Sequence, residues 1–129
     1  MTEPDSVGLA ADPQEVAPPP ELSVLIVNYN SWMLCVQAVG TLRQHPPVRP
    51  DGSPMPFEVV VVDNASPMAE PGEVQALREQ VAAVGGKLIL HDENGGYSKG
   101  MNLALANSRG RWVLVSNPDV KFLPDTLNP

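Results

Sequence analysis

Four short, continuous apolar runs limit what this chain can fold into more than any other feature. They are Val24 to Val27, Val59 to Val62, Leu88 to Leu90 within a strand read over Lys87 to Leu90, and Val113 to Val115, and each is followed at once by polar or turn-forming residues. A run that is apolar at nearly every position, rather than at alternate ones, fits a strand covered on both faces, as in parallel sheets. The segments between the runs have helical spacing instead. After Ser31, which can cap a helix, Leu34, Cys35, Ala38, Val39 and Leu42 fall on one face, and the pattern stops near His45 before Pro46 and Pro47. Pro71 opens a second helix with Val74, Leu77, Val81 and Val84 inward, stopped by Gly85 and Gly86. A third runs from Tyr97 to Ser108, with Met101, Ala104, Leu105 and Ser108 along one side and Gly110 as its stop.

The order is therefore β-α-β-α-β-α-β, which predicts an α/β fold: a doubly wound, Rossmann-like parallel sheet with right-handed crossovers and helices on both faces. In the common strand order 3-2-1-4 the winding reverses between the first and fourth strands. Ligands bind such sheets outside the carboxyl ends of the strands at that reversal. Tyr29 and Asp119 would flank the crevice, with Asp63, leaving the second strand, on its near wall.

The rest of the chain narrows the reading mainly by exclusion. Residues 1–21 hold prolines and acids with no Lys or Arg and no apolar core, so they read as a disordered leader rather than a signal peptide, and folded chain is expected over 22–129. The stretch from Pro46 to Pro56, rich in proline, reads as a surface excursion. No apolar run reaches the roughly 18 residues a membrane span needs, and a cytoplasmic location is expected. The single cysteine, Cys35, excludes an internal disulfide and sits on a helical stripe, as a small buried hydrophobe would. His45 and His91 lack ligand spacing, and Trp32 and Trp112 read as packing groups. A net charge of −7 argues against nucleic acid as the main partner, since that binding rests on many Lys and Arg contacts. A small anion remains compatible if a helix amino terminus or a divalent cation offsets the local charge.

The strand exits carry the residues with chemistry. At a crevice of this kind Tyr29 offers a stacking surface for a base and Asp63 an acceptor for its imide edge. Asp119 is a hard oxygen ligand suited to Mg²⁺ or Mn²⁺ shared with phosphate oxygens. Each also has a plainer reading. Tyr29 can simply pack, Asp63 with Asn64 and Ser66 can cap the next turn, Asn94-Gly95-Gly96 can be only a turn, and Asn117-Pro118-Asp119 is turn-forming in any context. Lys99 is by default an exposed helix lysine. A phosphorylatable receiver-type switch at Asp63 would need an acidic pair after the first strand, and Asn28, Tyr29 and Asn30 do not supply one.

Taken together, the series VLIVNYN, VVVVDNAS, ENGGYSKGMNLAL and WVLVSNPDV, in this order and spacing, resembles glycosyltransferase family 2, in particular its rhamnosyltransferase-like members. The likeness covers roughly Leu22 to Asp125. It implies the nucleotide-binding half of a GT-A fold, a nucleoside-diphosphate-sugar donor, and metal-assisted, inverting transfer of a sugar such as rhamnose to a glycan or lipid-linked acceptor. A lipid-linked acceptor would be met at the inner face of the membrane. Carried over residue by residue, Asn28, Tyr29, Asn30, Asp63, Asn64 and Ser66 match the nucleotide-binding positions. Gly95, Gly96, Tyr97, Asn102 and Asn117 match those near the diphosphate and donor sugar. Asp119 matches the final, metal-binding acid of the family's Asp-x-Asp-type motif, although Asn117 and Pro118 stand where some members have acids. In the family the general base and the acceptor site lie beyond the residues matched here. KFLPDTLNP looks like the start of a further helix, with Asp125 as its cap. The expectation is a donor-binding chain that is catalytically incomplete by itself, whose uncovered fourth strand can pair with another chain. The alternative class is a non-catalytic α/β interaction or regulatory module.

Overall fold

The computed structural model describes residues 19–67 and 70–127, so the leader reading of residues 1–18 lies outside the described residues. Seven elements follow one another: β1 (Leu22–Asn28), α1 (Trp32–Gln44), β2 (Phe57–Asn64), α2 (Pro71–Ala83), β3 (Lys87–His91), α3 (Tyr97–Ala106) and β4 (Trp112–Ser116). All strand pairs are parallel, and the sheet order is β3-β2-β1-β4, the predicted 3-2-1-4. Among the described residues no helix is long and apolar enough to cross a membrane.

The central strands are covered on both faces, which is why β1 and β2 could be read as unbroken apolar runs. Alternation assigns their side chains to two layers. Val24, Ile26, Val59 and Val61 meet Cys35, Ala38, Val39 and Leu42 of α1 and Leu77 and Val81 of α2, whereas Leu25, Val60 and Val62 meet Ala104 of α3. Burying each of these side chains is worth about 1.5–3 kcal/mol, so the two central strands anchor the fold.

The same alternation decides the fate of the polar residues that end them. Asn28 and Asp63 are register partners on the α1/α2 side, and Asn64 falls on the α3 side.

Several local expectations give way to tertiary detail. Leu34 and Leu105 are exposed, and Leu103 takes the half-buried position expected of Leu105. Ser31 does not cap α1 with its side chain. Its hydroxyl donates to the Tyr29 carbonyl, and the carboxamide oxygen of Asn28 instead accepts the Ser31 amide at 3.0 Å. Trp112 is 62% exposed, with the Arg111 guanidinium stacked 5.6 Å from its ring centre, so it is not a core packing group. Val113 and Val115 are exposed, as the expected uncovered fourth strand requires: among the described residues β4 is an edge strand, and α3 packs over β1 and β2.

After β4, Val120, Phe122 and Leu127 fold back against the α1 layer, and Phe122 donates its amide to Thr41 Oγ1 at 2.9 Å. Residues 124–127 form turns rather than the helix expected there. At the other boundary Glu21, read as leader, belongs to the folded part. Its amide bonds the Pro56 carbonyl, its carbonyl accepts the Trp112 amide, and its side chain pairs with Arg49.

A buried clasp ties the bottom of the sheet together. Glu58, 2% exposed, accepts hydrogen bonds from Ser23 Oγ and the Arg109 amide, both at 2.6 Å, and Ser23 Oγ accepts the Gly110 amide at 2.8 Å. The clasp fixes the α3–β4 turn against β1 and β2, and with it where β4 begins.

Candidate functional site

The carboxyl ends of the strands open into a cleft of about 410 Å³ lined by Val27, Tyr29, Ser31, Asn64, Asn94, Gly96, Tyr97, Asn117 and Pro118. It lies where the winding reverses between β1 and β4, as the strand order requires. Tyr29 and Tyr97, about half exposed, supply its aromatic surface from the β1 exit and the first turn of α3.

α3 begins without a side-chain cap: Gly96, with φ of 91°, occupies the N-cap. Its first-turn amides therefore have no side-chain acceptor and carry the positive end of the helix dipole beside the cleft. Asn94 accepts the Gly96 amide at 2.9 Å, an Asx turn that shapes the loop. Asn64, 3% exposed, donates from Nδ2 to the Gly96 carbonyl at 2.9 Å and so fastens the loop to the end of β2. The helix approaches so closely that a Cβ on Gly100 would stand 2.9 Å from Asn64 Nδ2 and 3.0 Å from Val27 Cγ1.

The sequence-predicted residues divide into four groups. Tyr29, Asn64, Gly96, Tyr97 and Asn117 line the cleft. Asn28, Asn30, Asp63 and Ser66 do not line it and form a hydrogen-bonded knot behind it. Asp63 Oδ1 accepts from Asn28 Nδ2 at 2.9 Å and from Ser66 Oγ at 2.5 Å, and Oδ2 accepts the Ser66 amide at 3.0 Å. Ser66 Oγ in turn accepts the amide of Asn30, which sits at a positive φ of 57°. Asp63 is 4% exposed, so the carboxylate expected at a base edge is spent on holding the two strand exits together.

Asn102 and Gly95 also fall outside the cleft. Asn102 lines a separate depression with His91, Glu93, Lys99 and Leu103, and the side chain of Lys99 lies over Gly95. The sequence reading did not include Ser31, Asn94 or Val27 among the ligand-facing residues. The signal for Asn94 was present, since Asn before Gly-Gly favours an Asx turn.

Asp119 is exposed in the turn just past Pro118, closed by the Val120 amide on the Asn117 carbonyl at 3.2 Å. Among the described residues no group of three or more His, Cys, Asp or Glu side chains is placed to hold a metal ion. A lone, solvent-facing carboxylate fits only an ion that takes most of its oxygen ligands from phosphate and water.

Cys35 lies behind the knot with Sγ 3.3 Å from Asn28 Oδ1. Burial, with the nearby Asp63 charge, pushes its thiol up to about 12, so it is not a nucleophile.

With this geometry in hand, comparison with known proteins is decisive on kinship: the model of glycosyl transferase family 2 matches residues 23–129. The chain belongs to glycosyl transferase family 2. The succinoglycan biosynthesis protein ExoO of Rhizobium meliloti (strain 1021) is 29% identical over 116 residues, which are 90% of this chain and 30% of that protein. The mannosyltransferase PcManGT from Pyrobaculum calidifontis, solved with GDP-Man and Mn²⁺, superposes with a TM-score of 0.68 at 26% identity, covering 85% of this chain and 31% of that one. S. aureus TarS (residues 1–349) gives 0.65 at 28% identity, covering 83% and 30%. The chain thus spans about a third of the length of the relatives it matches.

Proposed function

We propose that this chain is the donor-binding part of a glycosyltransferase that moves a sugar, with inversion, from a nucleoside diphosphate to a hydroxyl of a glycan or lipid-linked acceptor. The observation that carries the proposal is the cleft at the β1–β4 reversal, which joins an aromatic wall to an uncapped helix amino terminus. Tyr29 takes the face of the base. The first turn of α3 and the polar side chains of Asn94 and Asn117 receive the diphosphate and sugar. Asp63 acts as a positioning residue, setting the β1 and β2 exits through Asn28 and Ser66.

Asp119 would hold Mg²⁺ or Mn²⁺ at the mouth of the cleft, and such an ion supplies charge neutralisation for a departing diphosphate. The structural neighbours support this reading, one solved in complex with GDP-Man and Mn²⁺ and another with UDP. Rhamnose is the sugar implied by the sequence resemblance, and mannose joins it in the donor panel because of the mannosyltransferase neighbour. No described carboxylate stands free in the cleft to deprotonate an acceptor, so these residues bind donor and leave acceptor activation to groups outside them.

Isothermal calorimetry with UDP, dTDP and GDP, each with and without Mn²⁺, tests the proposal. One nucleotide should bind, Tyr29→Ala should weaken it about tenfold or more, the order of one lost base-stacking contact, and Asp119→Ala should remove only the Mn²⁺-dependent part. Binding that neither substitution alters would place the donor elsewhere. Measurable sugar transfer by the chain alone would refute the division of labour.

A further inference from the structure

Asn94 and Gly95 form the single Asn-Gly pair in the sequence, and Asn94 lines the cleft. The side-chain carbonyl of an asparagine can be attacked by the amide nitrogen of the residue that follows it, closing a five-membered ring. A side chain on that following residue crowds the ring, and glycine has none. The folded chain leaves the pair open to this reaction. Both residues are exposed in the loop between β3 and α3, and among the described residues the Gly95 amide makes no hydrogen bond that would hold its proton. The Gly96 amide donates to Asn94 Oδ1 at 2.9 Å, which draws electron density from the carboxamide carbon and stays in place as that oxygen becomes negative during attack.

What the reaction changes is set by where Asn94 stands. Its neutral carboxamide shares the cleft wall with Gly96, the N-cap of α3, whose first-turn amides have no side-chain acceptor. Those amides and the helix dipole favour an anion, and a carboxylate at position 94 would be that anion. Asp92 and Glu93 precede Asn94 but do not line the cleft, so position 94 decides whether a carboxylate meets a ligand on this wall.

We propose that Asn94 is a self-modifying site, converted without an enzyme to aspartate and isoaspartate, whose carboxylate takes the α3 amino terminus from a phosphate-bearing donor. The Gly95 amide gives its proton to hydroxide, and the bond from Gly95 N to Asn94 Cγ forms. The bond from Cγ to Nδ2 then breaks, and the nitrogen takes a proton from water and leaves as ammonia. Water opens the resulting succinimide. Attack on its main-chain carbonyl gives isoaspartate, with one more carbon in the backbone before Gly95, and attack on its side-chain carbonyl gives aspartate. No oxidant or reductant takes part. The conversion stands on the loop alone, whereas its effect on the donor rests on the function proposed above.

The test follows the 129-residue chain, kept native in mildly alkaline buffer, sampled over time and digested with trypsin. Cleavage after Lys87 and Lys99 isolates residues 88–99, in which Asn94 is the only amide side chain. Mass spectrometry should show this peptide turning into two acidic species that separate as aspartyl and isoaspartyl forms. Asn94→Gln, whose longer side chain disfavours the ring, should stay intact. A native chain in which residue 94 persists as asparagine, or converts only in urea, overturns the proposal. Calorimetry with UDP, dTDP and GDP reads the consequence. The number of binding sites should fall in step with the converted fraction. Asn94→Asp should bind about tenfold or more weaker than the parent, and weaker than Asn94→Ala, which removes the side chain without adding charge. An Asn94→Asp chain that binds like the parent or like Asn94→Ala overturns this proposal alone, whereas a parent that binds none of the three nucleotides overturns the function proposed above along with it.

Discussion

Replacing Gly100 by alanine tests how tightly α3 and the loop before it are built onto the sheet. On an ordinary helix face the change is favourable, because alanine is the better helix former by about 1 kcal/mol. Here the new methyl would stand 2.9 Å and 3.0 Å from the two heteroatoms of the Asn64 carboxamide and 3.0 Å from Val27 Cγ1. Side-chain contacts that short are not tolerated, so α3 must lift or Asn64 must turn. Overpacking of a core costs about 1–3 kcal/mol. Turning Asn64 gives up its bond to the Gly96 carbonyl and leaves a buried amide unpaired, a further cost of about 1–3 kcal/mol. Against the helix gain, the expected loss is about 1–5 kcal/mol.

Gly40 provides the internal control. It too lies inside a helix, α1, but a Cβ there meets nothing closer than Gln80 Oε1 at 4.0 Å, so alanine should stabilise by up to about 1 kcal/mol. Guanidinium unfolding followed by circular dichroism reads both variants. Opposite signs bear out the close approach of α3 to Asn64. A Gly100→Ala protein as stable as the parent, or a Gly40→Ala protein equally weakened, refutes it.

Two further tests address parts of the fold that the cleft depends on. Glu58→Ala strips the bottom clasp of its acceptor, leaving the Ser23 hydroxyl and the Arg109 amide unmatched; urea unfolding should show a loss of about 2–3 kcal/mol, and Glu58→Gln, which keeps an acceptor, a smaller one. Cys35 predicts an alkaline weakness. Because the folded thiol holds its proton more tightly than the unfolded one, its contribution is intact below the ordinary value of 9.0 and declines as pH rises from there toward about 12. The urea midpoint should therefore drop between about pH 8 and pH 10.5 in the parent and drop less in Cys35→Ala, while a thiol reagent at pH 8 should label Cys35 only once denaturant is present. Labelling of the native chain as fast as of the unfolded one would contradict its burial.

Much of this architecture was legible in the sequence because it rests on local, repetitive signals. Continuous valine and leucine runs mark strands covered on both sides, the 3.6-residue spacing of Cys35, Ala38, Val39 and Leu42 marks α1, and Pro71 with Gly85 brackets α2. The βαβ handedness rule then leaves few strand orders, and β3-β2-β1-β4 is among the commonest. The site was legible at the level of which loops converge, since those are the strand exits. Which side chains face a ligand depends on neighbours distant in sequence. Asp63 and Asn64 are adjacent, yet alternation sends one to the α1 side, where Asn28 and Ser66 engage its carboxylate, and the other to the α3 side, where it holds Gly96. Ser31 gives α1 no side-chain cap, its hydroxyl turning back to donate to the Tyr29 carbonyl. The run Val113 to Val115 reads by itself as a buried strand, whereas the exposure of Val113 and Val115 agrees with the uncovered fourth strand also expected from the sequence and follows from the place of β4 at the edge of the sheet among the described residues. Composition and periodicity fix which elements form and in what order, because those depend on a residue's own chemistry and spacing. Only the folded chain decides which hydrogen-bonding groups are engaged within the structure and which are left facing the cleft, because that depends on what stands across from them.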